Sequence, residues 1–223
     1  MKLKLHLVMA FLISLTSIIG FCLMSLWISD HKIVHFDSSI IASIQGMETP
    51  GLTRIMKWFT FIGSAPFVAF LSLFLLFFLY KVLQHRMELI LFVYAVIGSA
   101  LLNQFLKQFF HRVRPELHRL IEIGGYSFPS GHAMNAFTVY TVISFLLWRH
   151  IPNRLGRGIL IAISAMMILL IGASRVYLGV HYPSDIIGGY FASGFWVGTA
   201  ILSFQIYKEK RYNRKYKRQR DFA

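Results

Sequence analysis

The 223-residue chain has a single cysteine, Cys22, set in an apolar run, so it forms no internal disulfide and no cysteine-based metal site. Charge is scarce as well. Only 14% of residues are charged, where a soluble domain carries about 25%. Acidic residues are the rarest of these, nine Asp and Glu against 23 Lys and Arg, for a formal net charge of +14. In a soluble protein that excess would suggest nucleic acid. Here 56% of residues are apolar and the mean hydropathy is +0.59. That excludes an ordinary soluble domain, and the basic residues must be read by their position relative to a membrane. No internal repeat is evident, and the length suits one compact domain.

Six apolar stretches, Leu7–Ser29, Trp58–Tyr80, Leu89–Leu106, Ser130–Trp148, Gly158–Ser174 and Ile186–Tyr207, contain no Asp, Glu, Lys or Arg. Crossing about 30 Å of hydrocarbon takes about 20 apolar residues as a helix. The runs lack the alternation of barrel strands. The expected architecture is therefore an all-α integral membrane protein with six transmembrane helices. Residues 1–207 form its single membrane domain and residues 208–223 a basic tail. The first run, behind Lys2 and Lys4, is too long for a secretory signal, lacks a small-x-small cleavage site and reads as a retained anchor. Pro66 is expected to kink the second span, and Asn103 and Gln104 to face protein in the third.

Six crossings put both termini on one side. The segments on that side, 1–6, 81–88, 149–157 and 208–223, hold 15 of the 23 Lys and Arg, and the opposite segments, 30–57, 107–129 and 175–185, hold 8. The positive-inside rule places both termini in the cytoplasm, in a multi-pass plasma-membrane protein. The tail from Lys208 to Arg220 is expected to rest on anionic lipid, at about 1 kcal/mol per basic residue, rather than on nucleic acid. In segment 30–57, Phe36, Ile40, Ile41, Ile44 and Met47 fall at helical spacing until Thr49-Pro50. This reads as a short amphipathic helix in the outer interface, either a plain connector or a rim over a site.

Polar residues cluster at the ends of the runs. The clusters are Lys107 through Arg114-Pro115 after the third run, Pro129-Ser130-Gly131-His132 opening the fourth, and Ser174-Arg175, His181 and Asp185 between the fifth and sixth. Spans three and five end, and spans four and six begin, on the same membrane face. All three clusters thus share one layer whichever way the protein inserts, and the charge bias makes that layer extracytoplasmic. Lys107 and Arg114 are nearly two helical turns apart, on one face at about 10 Å if the helix persists, although Pro115 biases Arg114 out of helix. Ser130 reads as the N-cap of the fourth span, leaving free N–H groups at that helix end. Three cations beside a helix N-terminus suit phosphate. Two histidines and an aspartate supply a nucleophile and a proton donor, and the sum is a phosphatase.

Lys107-x6-Arg114-Pro115, Pro129-Ser130-Gly131-His132 and Ser174-Arg175-x5-His181-x3-Asp185 resemble, in the same order, the three signature motifs of the type 2 phosphatidic acid phosphatase superfamily. The six-run frame resembles its membrane branch, the lipid phosphate phosphatases, and within it the bacterial phosphatidylglycerophosphatases. The resemblance implies roles for these residues. His181 attacks phosphorus and forms a phosphohistidine, and Asp185 accepts from the proton-bearing ring nitrogen of His181. His132 protonates the leaving alkoxide and then activates water. Lys107, Arg114 and Arg175, with Ser130 and the Gly131 amide, hold the phosphate oxygens. The substrate implied is a lipid phosphate entering from the bilayer, with phosphatidylglycerophosphate favoured and undecaprenyl diphosphate and phosphatidic acid next. Neighbouring cations should keep His181 neutral, and a protonated His132 gives a bell-shaped pH–rate profile.

Two-metal hydrolysis needs several carboxylates. Segments 107–129 and 175–185 offer only Glu116, Glu122 and Asp185, and no HExxH pairing occurs, so neither a metal nor a cofactor is expected. His6, His31, His35, His85, His111, His118 and His150 read as satisfied or solvated side chains. Arg112 and Arg119 read as outer-loop charges near headgroups, able to touch a phosphate, and Ser174 as a structural start to its motif. Tyr126, Phe128, Tyr177 and Tyr182 read as interfacial aromatics. Two alternatives are a lipid-to-lipid phosphotransferase using the same site and a non-enzymatic lipid-phosphate-binding membrane protein, which would have no need of a His–Asp pair opposite a second histidine.

Overall fold

The computed structural model describes residues 2–81, 86–116 and 118–221. His85 and the rest of the 82–85 connection lie outside the described residues, as do the side chains of residues 1–6 and 212–223, with Lys2, Lys4, His6 and the distal tail charges.

Among the described residues every regular element is helical: α1 (Lys2–Ser29), α2 (Val34–Gln45), α3 (Pro50–Ile62), α4 (Ala65–Lys81), α5 (Arg86–Phe110), α6 (Gly131–Leu147), α7 (Arg154–Tyr177) and α8 (Pro183–Asp221), with a 3-10 turn at Trp148–His150. A helix satisfies its own backbone within one segment, which is what an apolar run in hydrocarbon requires. Among the described residues α1, α5, α7 and α8 are long and apolar enough to cross a membrane, and α3 and α4 qualify only together, as a pair bent by 54°. At 17 residues, α6 is a shorter apolar helix. Phe70, Phe77, Leu101, Phe105 and Leu169 are each more than 60% exposed, an apolar belt suited to lipid rather than water.

The second apolar run departs from the expected kinked helix. Helix begins earlier, at Pro50, where Thr49 Oγ1 accepts from the Leu52 amide at 3.2 Å. It then stops at Ile62 and restarts at Ala65. Pro66 has no N–H to donate to the Ile62 carbonyl, so the ladder cannot continue, and Ser64 Oγ accepts from the Phe67 amide at 3.4 Å instead. A Cβ at Gly63 would overlap Ile171 of α7 and stand 3.2 Å from Cδ2 of His132. The break therefore lets α3 lie close against α7, beside the start of α6.

Small residues bring α1 onto α8. Ser14 Oγ lies 3.0 Å from Thr199 Oγ1, and a Cβ at Gly194 would overlap Ser17, the close backbone approach typical of helices in lipid. A core of Leu91, Phe92, Val142 and Val197 ties α5, α6 and α8 together. Phe21, Phe128 and Met134 form a second one. Phe128 is wholly buried, stacked on Phe21 at 5.6 Å and edge-on to Phe110 at 5.0 Å. Tyr177 is equally buried, its hydroxyl 2.8 Å from Thr53 Oγ1. These two aromatics belong to the core, not to the interface expected for them. Asn103 does turn inward, donating to the Pro129 carbonyl at 3.1 Å, whereas Gln104 is exposed.

Helix α5 ends before Arg114. His111 takes a left-handed φ of 49° while its amide still closes the last turn on the Lys107 carbonyl at 3.1 Å. Lys107 and Arg114 therefore do not share a helical face. The segment that follows crosses the end of the bundle, pinned by Leu120 N to Leu178 O at 3.1 Å and Ser127 N to Arg112 O at 2.7 Å. At the other end, α8 runs 39 residues without a break, so the basic stretch from Lys208 continues a helix rather than starting a new element.

Candidate active site

Pro183 opens α8 at a first-turn position, where its missing N–H goes unneeded. The turn before it is closed reciprocally: the Asp185 amide donates to the Tyr182 carbonyl at 3.0 Å, and the Tyr182 amide donates to Asp185 Oδ2 at 2.9 Å. This capping arrangement sets the carboxylate of Asp185 against the imidazole of His181, with Nδ1 and Oδ2 3.3 Å apart. Ser127 Oγ also donates to Asp185 Oδ2. Both members of the pair are buried.

Arg114 approaches His181 from the other side. Its Nη1 lies 3.0 Å from His181 Nε2 and donates to the Val180 carbonyl at 2.8 Å, while Nε donates to the Gly125 carbonyl at 2.9 Å. A guanidinium has only donors, so Nε2 is the accepting nitrogen and the ring proton sits on Nδ1, facing Asp185. Burial lowers the His181 pKa to about 3; the Asp185 hydrogen bond and charge oppose this, and Arg175 and Arg114 reinforce it. At neutral pH the ring is uncharged, with a lone pair on Nε2. Burial also lowers the Arg114 pKa, with Asp185 partly offsetting it.

The second motif meets the third through the backbone, Ser130 N donating to the Asp185 carbonyl at 3.1 Å. Ser130 caps α6 as expected, its Oγ accepting from the Ala133 amide at 3.5 Å. Gly131 follows at the first helical position, where a Cβ would sit 3.0 Å from Asn103 Oδ1. His132 comes next, packed by Gly63 and within electrostatic reach of Arg175, His181, Arg114 and Lys107. Lys107 donates to the Tyr126 carbonyl at 2.5 Å and lies within reach of the Arg114, Asp185 and Arg175 charges.

Arg175 completes the cluster. It is 1% exposed and donates through Nη1 to Thr60 Oγ1 of α3, yet its Nε and Nη2 have no hydrogen-bond partner. A buried donor left unmade costs about 1–3 kcal/mol, so these two nitrogens, with three N–H bonds between them, are suited to oxygens of an anion. All eight residues expected from the motifs thus meet in one layer. Among the described residues no group of three His, Cys, Asp or Glu side chains is placed to hold a metal ion.

Sequence reasoning missed part of this layer. Arg112 is no headgroup charge: its side chain is 16% exposed and bridges Asp185 Oδ1 at 2.6 Å and Asp37 Oδ2 at 2.9 Å. Asp37 of α2 was not singled out at all. The signal was present, because Asp37 falls four and seven residues before Ile41 and Ile44, a lone acid on the apolar stripe. Thr60 and Ser127 had no comparable signal. Ser174 donates to the backbone carbonyl of Ile171 at 2.7 Å.

Residues 88–210 match the PAP2 superfamily. The chain is 32% identical over 199 residues to phosphatidylglycerophosphatase B of Bacillus subtilis, covering 87% of this chain and 95% of that protein. It is 28% identical over 200 residues to the lipid A 4'-phosphatase of Porphyromonas gingivalis, covering 81% and 77%. Among solved structures it resembles a transmembrane PAP2-type phosphatidylglycerolphosphate phosphatase from Bacillus subtilis, with a TM-score of 0.74 and 29% identity over 88% of this chain and 96% of that one. With the three motif clusters gathered at one end of an apolar helical bundle and this match spanning them all, the chain belongs to the PAP2 superfamily, in its transmembrane form.

Proposed function

We propose that this chain is an integral membrane phosphatase that hydrolyses a lipid phosphate through a phosphohistidine on His181. The observation that carries this reading is the buried, neutral imidazole of His181. Its Nδ1 is held by Asp185 and its Nε2 lies 3.0 Å from Arg114, within electrostatic reach of Arg175, whose Nε and Nη2 are unpartnered. When a phosphate enters, the Arg114 guanidinium passes from Nε2 to a phosphate oxygen, which frees the lone pair as it anchors the target. Nε2 attacks phosphorus, the P–O bond to the lipid breaks, and His132 delivers a proton to the departing alkoxide. Water, deprotonated by His132, then attacks the phosphohistidine and releases inorganic phosphate. Lys107, Arg114, Arg175 and the first amides of α6 take the charge of the equatorial oxygens.

The same reading makes six crossings of α1, the bent α3–α4 pair, α5, α6, α7 and α8. It places both termini in the cytoplasm, the site on the extracytoplasmic face and the basic end of α8 on anionic lipid. The 15-to-8 partition of Lys and Arg supports that orientation. Phosphatidylglycerophosphate is the favoured substrate, in line with the Bacillus subtilis relative. Phosphatidic acid, a monoester with the same alkoxide leaving group, and undecaprenyl diphosphate, whose terminal phosphoryl group would leave behind a lipid monophosphate instead, are the next candidates. The test is phosphate release by purified protein from each of these lipids with no added acceptor. Release that is abolished by His181→Ala is the expected result. Transfer that needs a second lipid would make the protein a phosphotransferase, and binding without turnover would make it a lipid-phosphate-binding protein.

A further inference from the structure

Asp37 and Arg112 lie outside all three motifs, yet their side chains are wired into the centre. Asp37 is 2% exposed, and a buried carboxylate persists only when it is paired. Its Oδ1 accepts from the Ser184 amide at 2.9 Å, and its Oδ2 from Ser184 Oγ at 2.6 Å and Arg112 Nη2 at 2.9 Å. The other terminal nitrogen of Arg112 donates to Asp185 Oδ1 at 2.6 Å and to Ser184 Oγ at 2.8 Å. The guanidinium rests on the Tyr182 ring at 4.1 Å. One cation therefore joins a carboxylate of α2 to the carboxylate that holds His181.

The arrangement has two effects on Asp185. With Oδ1 tied to Arg112, the carboxylate cannot rotate to exchange its oxygens, so Oδ2 stays on Nδ1 of His181. Asp37 also offsets the charge of Arg112. Without that offset the guanidinium draws more strongly on Asp185, which then accepts more weakly from His181 and stabilises the phosphorylated ring less. We infer that Asp37 and Arg112 are positioning residues of the hydrolytic centre. Through Asp185 they hold the His181 imidazole with Nε2 presented to phosphorus, and α2 is part of the site rather than a connector. The inference rests on His181 being the nucleophile.

The test uses dioctanoyl phosphatidic acid in mixed micelles and full-length protein, with thermal unfolding measured alongside. Asp37→Asn and Arg112→Gln are expected to lower kcat about ten- to a hundredfold, the range seen when the supporting partner of a metal-bound histidine is lost, with KM little changed. Arg112→Lys keeps the charge but not the fork and recovers part of the rate. Arg112→Gln added to Asp185→Asn is expected to cost no more than about twofold beyond Asp185→Asn alone, because both act through one carboxylate. A raised KM at unchanged kcat would make Arg112 a phosphate ligand and overturn the inference. Fully additive losses would do the same. If Arg112→Gln does not fold, Asp37→Asn and Arg112→Lys decide: a wild-type kcat in both, with only a lowered melting temperature, reduces the network to a staple. His181→Ala separates the two layers. Retained turnover there removes the nucleophile, whereas lost turnover with additive Arg112 effects removes only the positioning role.

Discussion

Replacing Asp185 by asparagine changes one oxygen for an amide nitrogen and almost no volume, so its effect can be worked from the hydrogen bonds alone. Oδ1 of Asp185 receives Arg112 at 2.6 Å; Oδ2 receives the Tyr182 amide at 2.9 Å, His181 Nδ1 at 3.3 Å and the Ser127 hydroxyl, which can turn to accept from a new NH2. In one orientation the new NH2 meets Arg112, which has no acceptor to offer and cannot give up its protons. The other orientation is therefore preferred, and the NH2 faces Nδ1 of His181. The imidazole answers by moving its proton to Nε2. There the N–H points at Arg114, 3.0 Å away, and the lone pair needed for attack is gone. The same tautomer inversion in the serine-protease triad costs about ten-thousandfold in kcat. We expect about a thousand- to ten-thousandfold for Asp185→Asn, or about 4–5.5 kcal/mol of transition-state stabilisation. The unpaired Tyr182 amide adds about 1–3 kcal/mol of destabilisation, so the folded fraction at assay temperature must be measured in parallel. The assays are steady-state phosphate release and trapping of radiolabelled phosphohistidine under alkaline quench. A folded Asp185→Asn protein that works within tenfold of wild type would refute the tautomer argument.

The remaining predictions bear on the anion pocket and the charge state of the centre. Arg175→Lys exchanges a planar fork, with its unpartnered Nε and Nη2, for a point charge; kcat/KM is expected to fall about a hundredfold, measured with the same lipid probe. Because the folded His181 pKa is about 3 and a free imidazole titrates at about 6.5, kcat/KM should not show the rise near pH 6.5 of a solvated histidine nucleophile. The linked stability has a definite sign. Between about pH 6.5 and 3 the unfolded chain binds the proton that the folded chain refuses, so this group's contribution is intact above pH 6.5 and is lost as pH falls, which thermal melts at pH 7 and pH 4.5 will register. Phosphate release is expected to survive excess chelator, and a loss restored by magnesium would overturn metal independence. Vanadate, a trigonal-bipyramidal mimic of the transferring phosphoryl group, is expected to inhibit.

How much of this was legible in the sequence depends on how far apart the partners are. His181 and Asp185 are joined by one local turn, and Pro183 between them marks where the helix starts, so spacing was compatible with their contact without fixing it, and the pairing was implied by the family resemblance. The convergence of the three motifs followed from parity once each apolar run is taken as a crossing, since an end of one span and the start of the next then share a face. Paired neighbours were harder: Asn103 and Gln104 are about 100° apart on a helix, and only Asn103 turns to the site. The end of α5 was misplaced because Pro115 was the visible breaker, whereas the helix stops at His111, whose left-handed backbone no sequence rule demands. Likewise Pro66 announced a disturbance, but whether a proline kinks or breaks a helix is decided by what lies beside it. Here Ile171 and His132 fill the space at Gly63, and the chain divides.

Arg112 shows where sequence reading stops in physical terms. Its two carboxylate partners are 75 and 73 residues away, and nothing in its neighbourhood distinguishes it from Arg119, which folds back locally on the Pro115 carbonyl at 2.5 Å. Both look like loop cations. The distinction lay in α2, where an acid in register with Ile41 and Ile44 has to be buried if that stripe is buried, and a buried acid has to find a cation. Lys107, Arg114 and Arg175 are the motif cations that line the candidate phosphate pocket. An acid placed among them would compete with the anion they are suited to hold. The carboxylate of Asp37 is therefore best met by a cation outside the motifs, and Arg112 is the one the structure supplies, turned from the phosphate layer toward the back of Asp185.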